Sequence, residues 1–112
     1  KLLFHILNQL DKVTDILKYS ARELIDNKRT LSKDAYDIIE GVCTSIKWYS
    51  EFFFKFNTSR IKELYSNRHN IIKKIRDKSN KLKPEELLLV EYFRHILEFI
   101  VDMTEARMGL EY

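Results

Sequence analysis

Two pairs of carboxylates are the side chains of this sequence best spaced for chemistry: Asp11-x-x-x-Asp15 and Glu98-x-x-x-Asp102. On a helix, acids four apart lie one turn above each other. Both can then offer oxygen to the same hard or borderline cation. Around the second pair, Glu91, His95 and Glu105 extend the pattern. At about 100° per residue these five side chains fall within roughly 80° of one another, a single ionisable stripe. The wet side of an amphipathic helix has the same signature. Whether the stripe is a ligand set or a solvated face depends on the elements that hold it.

Those elements are helices. Only two glycines and one proline occur in 112 residues, too few turn formers for a sheet architecture of this size. The length suits one domain with a real core. A charged content of 33% points to long exposed helical faces. The fold class is therefore all-α, an up-down antiparallel bundle of four long helices joined by short connections. The single cysteine, Cys43, allows no internal disulfide. No apolar run reaches the ~18 residues of a membrane span, and no basic-then-apolar stretch reads as a signal peptide. The chain opens on Lys1 inside a helical pattern, as the C-terminal part of a longer chain would.

The stretch from Leu87 to Leu110 organises the rest. Leu89, Phe93, Ile96, Ile100 and Met103 recur in steps of three and four, one buried helical face. Pro84 presets its first turn, with Glu85 and Glu86 at the positive end of the helix. Helix one runs to about Ile25, with a seam of Leu3, Ile6, Leu10, Val13, Leu17 and Leu24. Asp26 to Thr30 reads as a loop. Helix two starts at the N-cap Ser32 and carries Ala35, Ile39, Val42, Ile46, Tyr49, Phe53 and Phe56 inward, with Cys43 beside them as a small core filler. The run Trp48 to Phe56 is apolar nearly all round, which calls for burial against neighbours, an upstream segment or another subunit. Asn57-Thr58-Ser59 caps helix three, which reaches about Lys81.

Charge is segregated. Residues 60–83 hold nine basic and two acidic side chains, and residues 84–112 hold two basic and seven acidic. Helices three and four are adjacent in an up-down bundle, so mutual neutralisation is the simplest use of this asymmetry. The basic helix lacks a reader motif or an aromatic platform, which argues against nucleic acid. Glu51 within the aromatic run argues against docking on a membrane surface.

In such a bundle helices one and four are antiparallel neighbours, which sets Asp11 and Asp15 at a height similar to Glu98 and Asp102. Here the sequence resembles the PhoU-like regulators of phosphate uptake. Leu10-Asp11-Lys12-Val13-Thr14-Asp15 is similar to their L-D-x-I-x-D signature, and Ile96-Leu97-Glu98-Phe99-Ile100-Val101-Asp102 resembles their closing-helix signature. In that family such acid pairs bind multinuclear metal clusters on three-helix bundles. The closest sub-group is the single-chain relatives associated with phosphate permeases.

The resemblance implies a three-helix domain over residues 32–112 preceded by one helix, in a chain about twice as long. It also implies a cytoplasmic, non-enzymatic protein, membrane-peripheral through its partner, that docks to a phosphate transporter or sensor and forms homo-oligomers. A divalent or iron-type metal ion would sit at Asp11, Asp15, Glu98 and Asp102. The family's middle-helix acid pair aligns with Tyr65 and His69, which leaves His69 as a transition-metal ligand and removes two carboxylates. Two other readings compete. One is a helical oligomerisation or adaptor module without metal, whose active surface is the Trp48–Phe56 run. The other is a small metal-dependent hydrolase using Glu91, His95 and Glu98 with His69 opposite.

Overall fold

A computed structural model describes residues 1–27 and 31–111, without the side chains of residues 21 and 23–27. The elements are α1 (Leu2–Asn27), α2 (Lys33–Phe54), α3 (Thr58–Lys78), a 3₁₀ turn (Ser79–Lys81) and α4 (Pro84–Glu111). Among the described residues there is no strand, and no helix is long and apolar enough to cross a membrane. Helix one overruns the expected loop as far as Asn27. Residues 28–30 of that loop and the Leu24 side chain lie outside the described residues.

Local chemistry sets the helix ends. The Ser32 hydroxyl accepts from Ala35 N–H at 3.3 Å and opens α2. Asn57 Oδ1 accepts from Ser59 N–H at 2.9 Å and opens α3, so α2 stops at Phe54, before the last position of its expected seam. At the end of α3 the chain tightens into the 3₁₀ turn, then extends through Leu82 to Pro84. Glu86 reaches back from the first turn of α4 to accept from Lys83 N–H at 3.0 Å, half of a capping box. Its other oxygen accepts from Ser32 N–H at 2.7 Å. One buried carboxylate thus holds the starts of α2 and α4 together.

Helix α4 is the centre of the molecule and packs against α1, α2 and α3. Leu89, Phe93, Ile96, Ile100 and Met103 are all buried, as their spacing predicts, and Val90, Leu97 and Thr104 are buried on a second side. Contacts at Ser32–Glu86, Tyr49–Met103 and Phe53–Arg107 advance in step, so α2 and α4 run parallel. Helix α3 returns between them. It comes close to α2 at Gly41, where an added Cβ would lie 3.0 Å from Ile71 Cδ1. Asn67 donates there to the Gly41 carbonyl at 3.0 Å and to Ser45 Oγ at 2.6 Å.

Helix α1 lies antiparallel along α4, from Leu2 beside Gly109 to Lys12 above Phe99. It packs little against α2, and this corrects its expected seam. Ile6, Val13, Gln9 and Ser20 are buried, whereas Leu3 and Leu10 are 49% and 38% exposed. The apolar stripe of α1 is wide enough for two neighbours, and among the described residues it packs mainly against one, α4. Helix α2 differs the other way. Ile38, Ser45 and Phe52 are its deep positions, while Ile39, Ile46 and Phe53 are only partly covered. Cys43 is exposed rather than a core filler, because α1 does not cover that side of α2.

Candidate functional site

The ionisable stripe of α4 is split between two neighbours. Glu98 accepts from Arg68 of α3, at 3.2 Å from Nε and 2.7 Å from Nη2. Glu105 accepts from the Tyr65 hydroxyl at 3.4 Å. Asp102 turns to α1, where its Oδ2 accepts from Gln9 Nε2 at 3.2 Å and lies 3.4 Å from His5 Nε2. Glu91 stays on its own helix, bound by Arg94 and 3.5 Å from His95. The hydrogen bonds from Arg94 hold the Glu91 carboxyl below its ordinary pKa against a smaller opposing effect of burial.

Asp11 and Asp15 are exposed. Their spacing from the buried Ile6, Gln9 and Val13 puts them on the side of α1 turned away from α4. His69 is exposed on α3, next to Arg68. The structure therefore joins Asp102 to α1, but through His5 and Gln9 rather than through Asp11 and Asp15. Among the described residues no three His, Cys, Asp or Glu side chains gather to hold a metal ion. As placed, these donors do not converge on one point and do not fit the implied metal.

The Arg68–Glu98 pair joins a basic helix to an acidic one, but both side chains are open to water, 37% and 42% exposed. A double-mutant cycle with Arg68→Met and Glu98→Gln, read by chemical denaturation, is expected to give a coupling of about 0.5 kcal/mol. A coupling several times larger would mean that the pair is desolvated. Apart from this pair and Tyr65–Glu105, neutralisation between α3 and α4 is narrower than the charge counts suggest. Arg60 turns to Glu51 of α2 and to Glu63, and Lys62, Lys73, Lys74 and Lys81 are exposed.

The more distinctive feature is a groove between α1 and α2, open because those helices do not close on each other. Leu7, Leu10 and Val13 form one wall, and Ile46, Ser50, Phe53 and Phe54 the other. Tyr49, Ile100 and Met103 lie beneath, and the space is about 390 Å³. Among the described residues no charged side chain lines it. The Tyr49 hydroxyl donates to the Met103 carbonyl at 3.3 Å. Burial pushes its pKa up to about 12, with Arg107 opposing, so the lining stays neutral at physiological pH. Leu7 is 50% exposed and Phe54 is 83% exposed.

The aromatic run that supplies this wall is mostly consumed by its own fold. Tyr49 and Phe52 are buried. The Arg60 guanidinium lies 5.2 Å from the Trp48 ring, and Arg107 lies 5.8 Å from Phe53 and 5.3 Å from Phe56. Arg107 Nε also donates to the Phe53 carbonyl at 2.9 Å. Sequence reasoning missed both arginines. The available signal was Arg107 itself, a cation one turn after Met103 on the apolar face of α4. Cys43 belongs by spacing to the same side of α2 as Ile46, Ser50 and Phe54. Local desolvation and then the Glu40 charge raise its thiol pKa, opposite to what a nucleophile needs.

The chain matches no known protein family, and no curated protein and no solved structure is significantly similar to it.

Proposed function

We propose that this chain is a non-catalytic helical interaction module that works by receiving apolar side chains of a protein partner in the α1–α2 groove. Regulation of phosphate uptake by docking rather than by chemistry, as the PhoU-like resemblance implies, is a function of this kind. The observation that carries the proposal is the groove itself, uncharged along its lining and rimmed by Leu7 and Phe54 at 50% and 83% exposure. Contiguous apolar surface of this sort marks interaction sites. A groove between two helices suits the helix-in-groove mode, in which anchors at steps of three and four fill the cleft.

Burying one such anchor fully is worth about 1.5–3 kcal/mol, which corresponds to a tenfold or larger change in affinity. Displayed amphipathic-helix peptides selected on the chain are therefore expected to lose at least about tenfold in affinity against Leu10→Glu and Phe54→Glu. They should bind a Lys73→Glu variant of the basic helix unchanged. Peptides that bind all three variants alike, or no selectable binders, would end this reading.

A further inference from the structure

We infer that the outer face of α3, together with a cleft beside Trp48, binds single-stranded nucleic acid, held by its phosphate backbone without regard to sequence. This surface lies on the side of α2 turned away from the groove, and the two readings stand independently. At about 100° per residue, Thr58, Lys62, Ser66, His69, Lys73 and Arg76 fall within roughly 80° of one another, and no other residue of α3 shares that arc. All six are exposed. Each carries a donor for a phosphate oxygen, and neither a carboxylate nor an apolar side chain interrupts them over about 27 Å of helix. Among the described residues Lys62, His69 and Lys73 have no ion pair, and Arg76 has only its neighbour Asp77 at 3.9 Å. Three further acids on the flanks of this track are already bound: Glu63 by Arg60, Glu98 by Arg68 and Glu105 by the Tyr65 hydroxyl.

The fold places an aromatic side chain beside this track. Helix α3 has no platform of its own, but α2 supplies Trp48. The indole lines a cleft of about 320 Å³ with Lys62, Glu63, Ser66, Asn67 and Asn70. Lys62 and Ser66 belong to both the cleft and the track. Among the described residues the Ser66 hydroxyl and the Asn70 amide have no hydrogen-bond partner, so both are free for the edge of a base. Arg60 lies 5.2 Å from the indole and adds a cation there. Cations that follow a backbone, next to an aromatic ring on which a base stacks, are the means by which single strands are held. Width selects among polyanions. The cationic arc is one helix wide, and α4 beside it carries seven acidic and two basic side chains over residues 84–112, which a flat anionic bilayer would also have to cover. No aliphatic side chain on the arc would enter such a bilayer. In a duplex the bases are stacked inside, out of reach of Trp48.

Trp48 is the single tryptophan of the chain, so its fluorescence reads the contact directly. Titration with oligothymidylate at low salt is expected to quench it to saturation. Lys62, Lys73 and Arg76 together give an expected slope of log K against log salt of about −2, at roughly −0.7 for each phosphate neutralised. Lys62→Gln combined with Lys73→Gln is expected to cut that slope to about −0.7 while the far-ultraviolet spectrum stays helical. Lys18→Gln, at an exposed position on α1, is expected to leave it unchanged. Trp48→Leu, followed by anisotropy of a labelled oligonucleotide, should weaken binding at least about fivefold, the lower bound for one stacked base. No binding at low salt overturns the inference, and so does binding that the double lysine variant retains in full. Duplex DNA or inorganic polyphosphate bound equally well, without quenching, would make the face a general polyanion surface and overturn its assignment to single strands. Phosphatidylglycerol vesicles bound in place of the oligonucleotide would assign it to a membrane surface and overturn it likewise. Peptide binding in the groove is measured separately, so neither result decides the other.

Discussion

Replacing Glu86 by alanine is expected to destabilise the domain by about 3 kcal/mol, as measured by urea unfolding at neutral pH. Glu86 is 4% exposed, and its two oxygens accept from Ser32 N–H at 2.7 Å and Lys83 N–H at 3.0 Å. Hydrogen bonds to a charged group contribute about 1.5–3 kcal/mol each. Alanine removes both and leaves two backbone donors near the core without an acceptor. The loss also releases the starts of α2 and α4 from each other, so the cost is not confined to one helix end. Burial on its own would raise the Glu86 pKa, but the two backbone donors, the Ser32 side chain and the Lys83 charge outweigh it and hold the carboxyl below its ordinary value. A group lowered on folding contributes its full stabilisation above the unfolded value and loses it as pH falls through the folded one. Glu86→Gln, which keeps an acceptor but not the charge, should therefore lose part of the stability at neutral pH. It should also show a shallower decline in acid than the parent protein. A Glu86→Ala variant as stable as the parent would show that water replaces the carboxylate at no cost.

The second large effect separates two phenylalanines only two residues apart. Phe52→Ala is expected to cost about 3–5 kcal/mol, the range for truncating a buried aromatic side chain. Phe52 is 1% exposed and its ring centroid lies 5.2 Å from that of Phe56 and 6.3 Å from that of Tyr49. Phe54→Ala, at a position 83% exposed, should change the stability of the isolated monomer by about 0.5 kcal/mol or less. Denaturation at protein concentrations low enough to exclude association makes the comparison. Equal effects from the two substitutions would contradict the orientation of α2 and with it the position of the groove.

How far the sequence reaches can be read from these helices. The repeat of helix α4 is legible because the helix is surrounded and each of its five positions finds a neighbour, but the second buried side at Val90, Leu97 and Thr104 lies outside that repeat. Helix α2 is legible to within one position. Its stripe predicts Ile39, Ile46 and Phe53, whereas Ile38, Ser45 and Phe52 go deeper, because α2 also faces α3 and rolls toward it. Ser45 is buried with its hydroxyl accepting from Asn67, 22 residues away. Helix α1 misleads in proportion to its width, since periodicity shows which side is apolar but not how much of it is covered. The acid pairs show the same limit. Their shared helix faces are visible at a spacing of four. Their actual partners are 30 residues away for Glu98 and 93 for Asp102, beyond any local pattern.

The step between α2 and α4 is 54 residues at each of three ties, near the start, past the middle and at the end of α2. Helices fastened at matching rungs cannot slide along each other without breaking all three at once. Lengthwise slip is locked, and the α2 wall of the cleft is a fixed rail. Among the described residues helix α1 has no comparable set of ties to α2 and lies along α4 instead. Gln9 and His5 fasten α1 to Asp102 of α4, so the width of the cleft is set by how α1 seats on α4, and its register by the ties between α2 and α4.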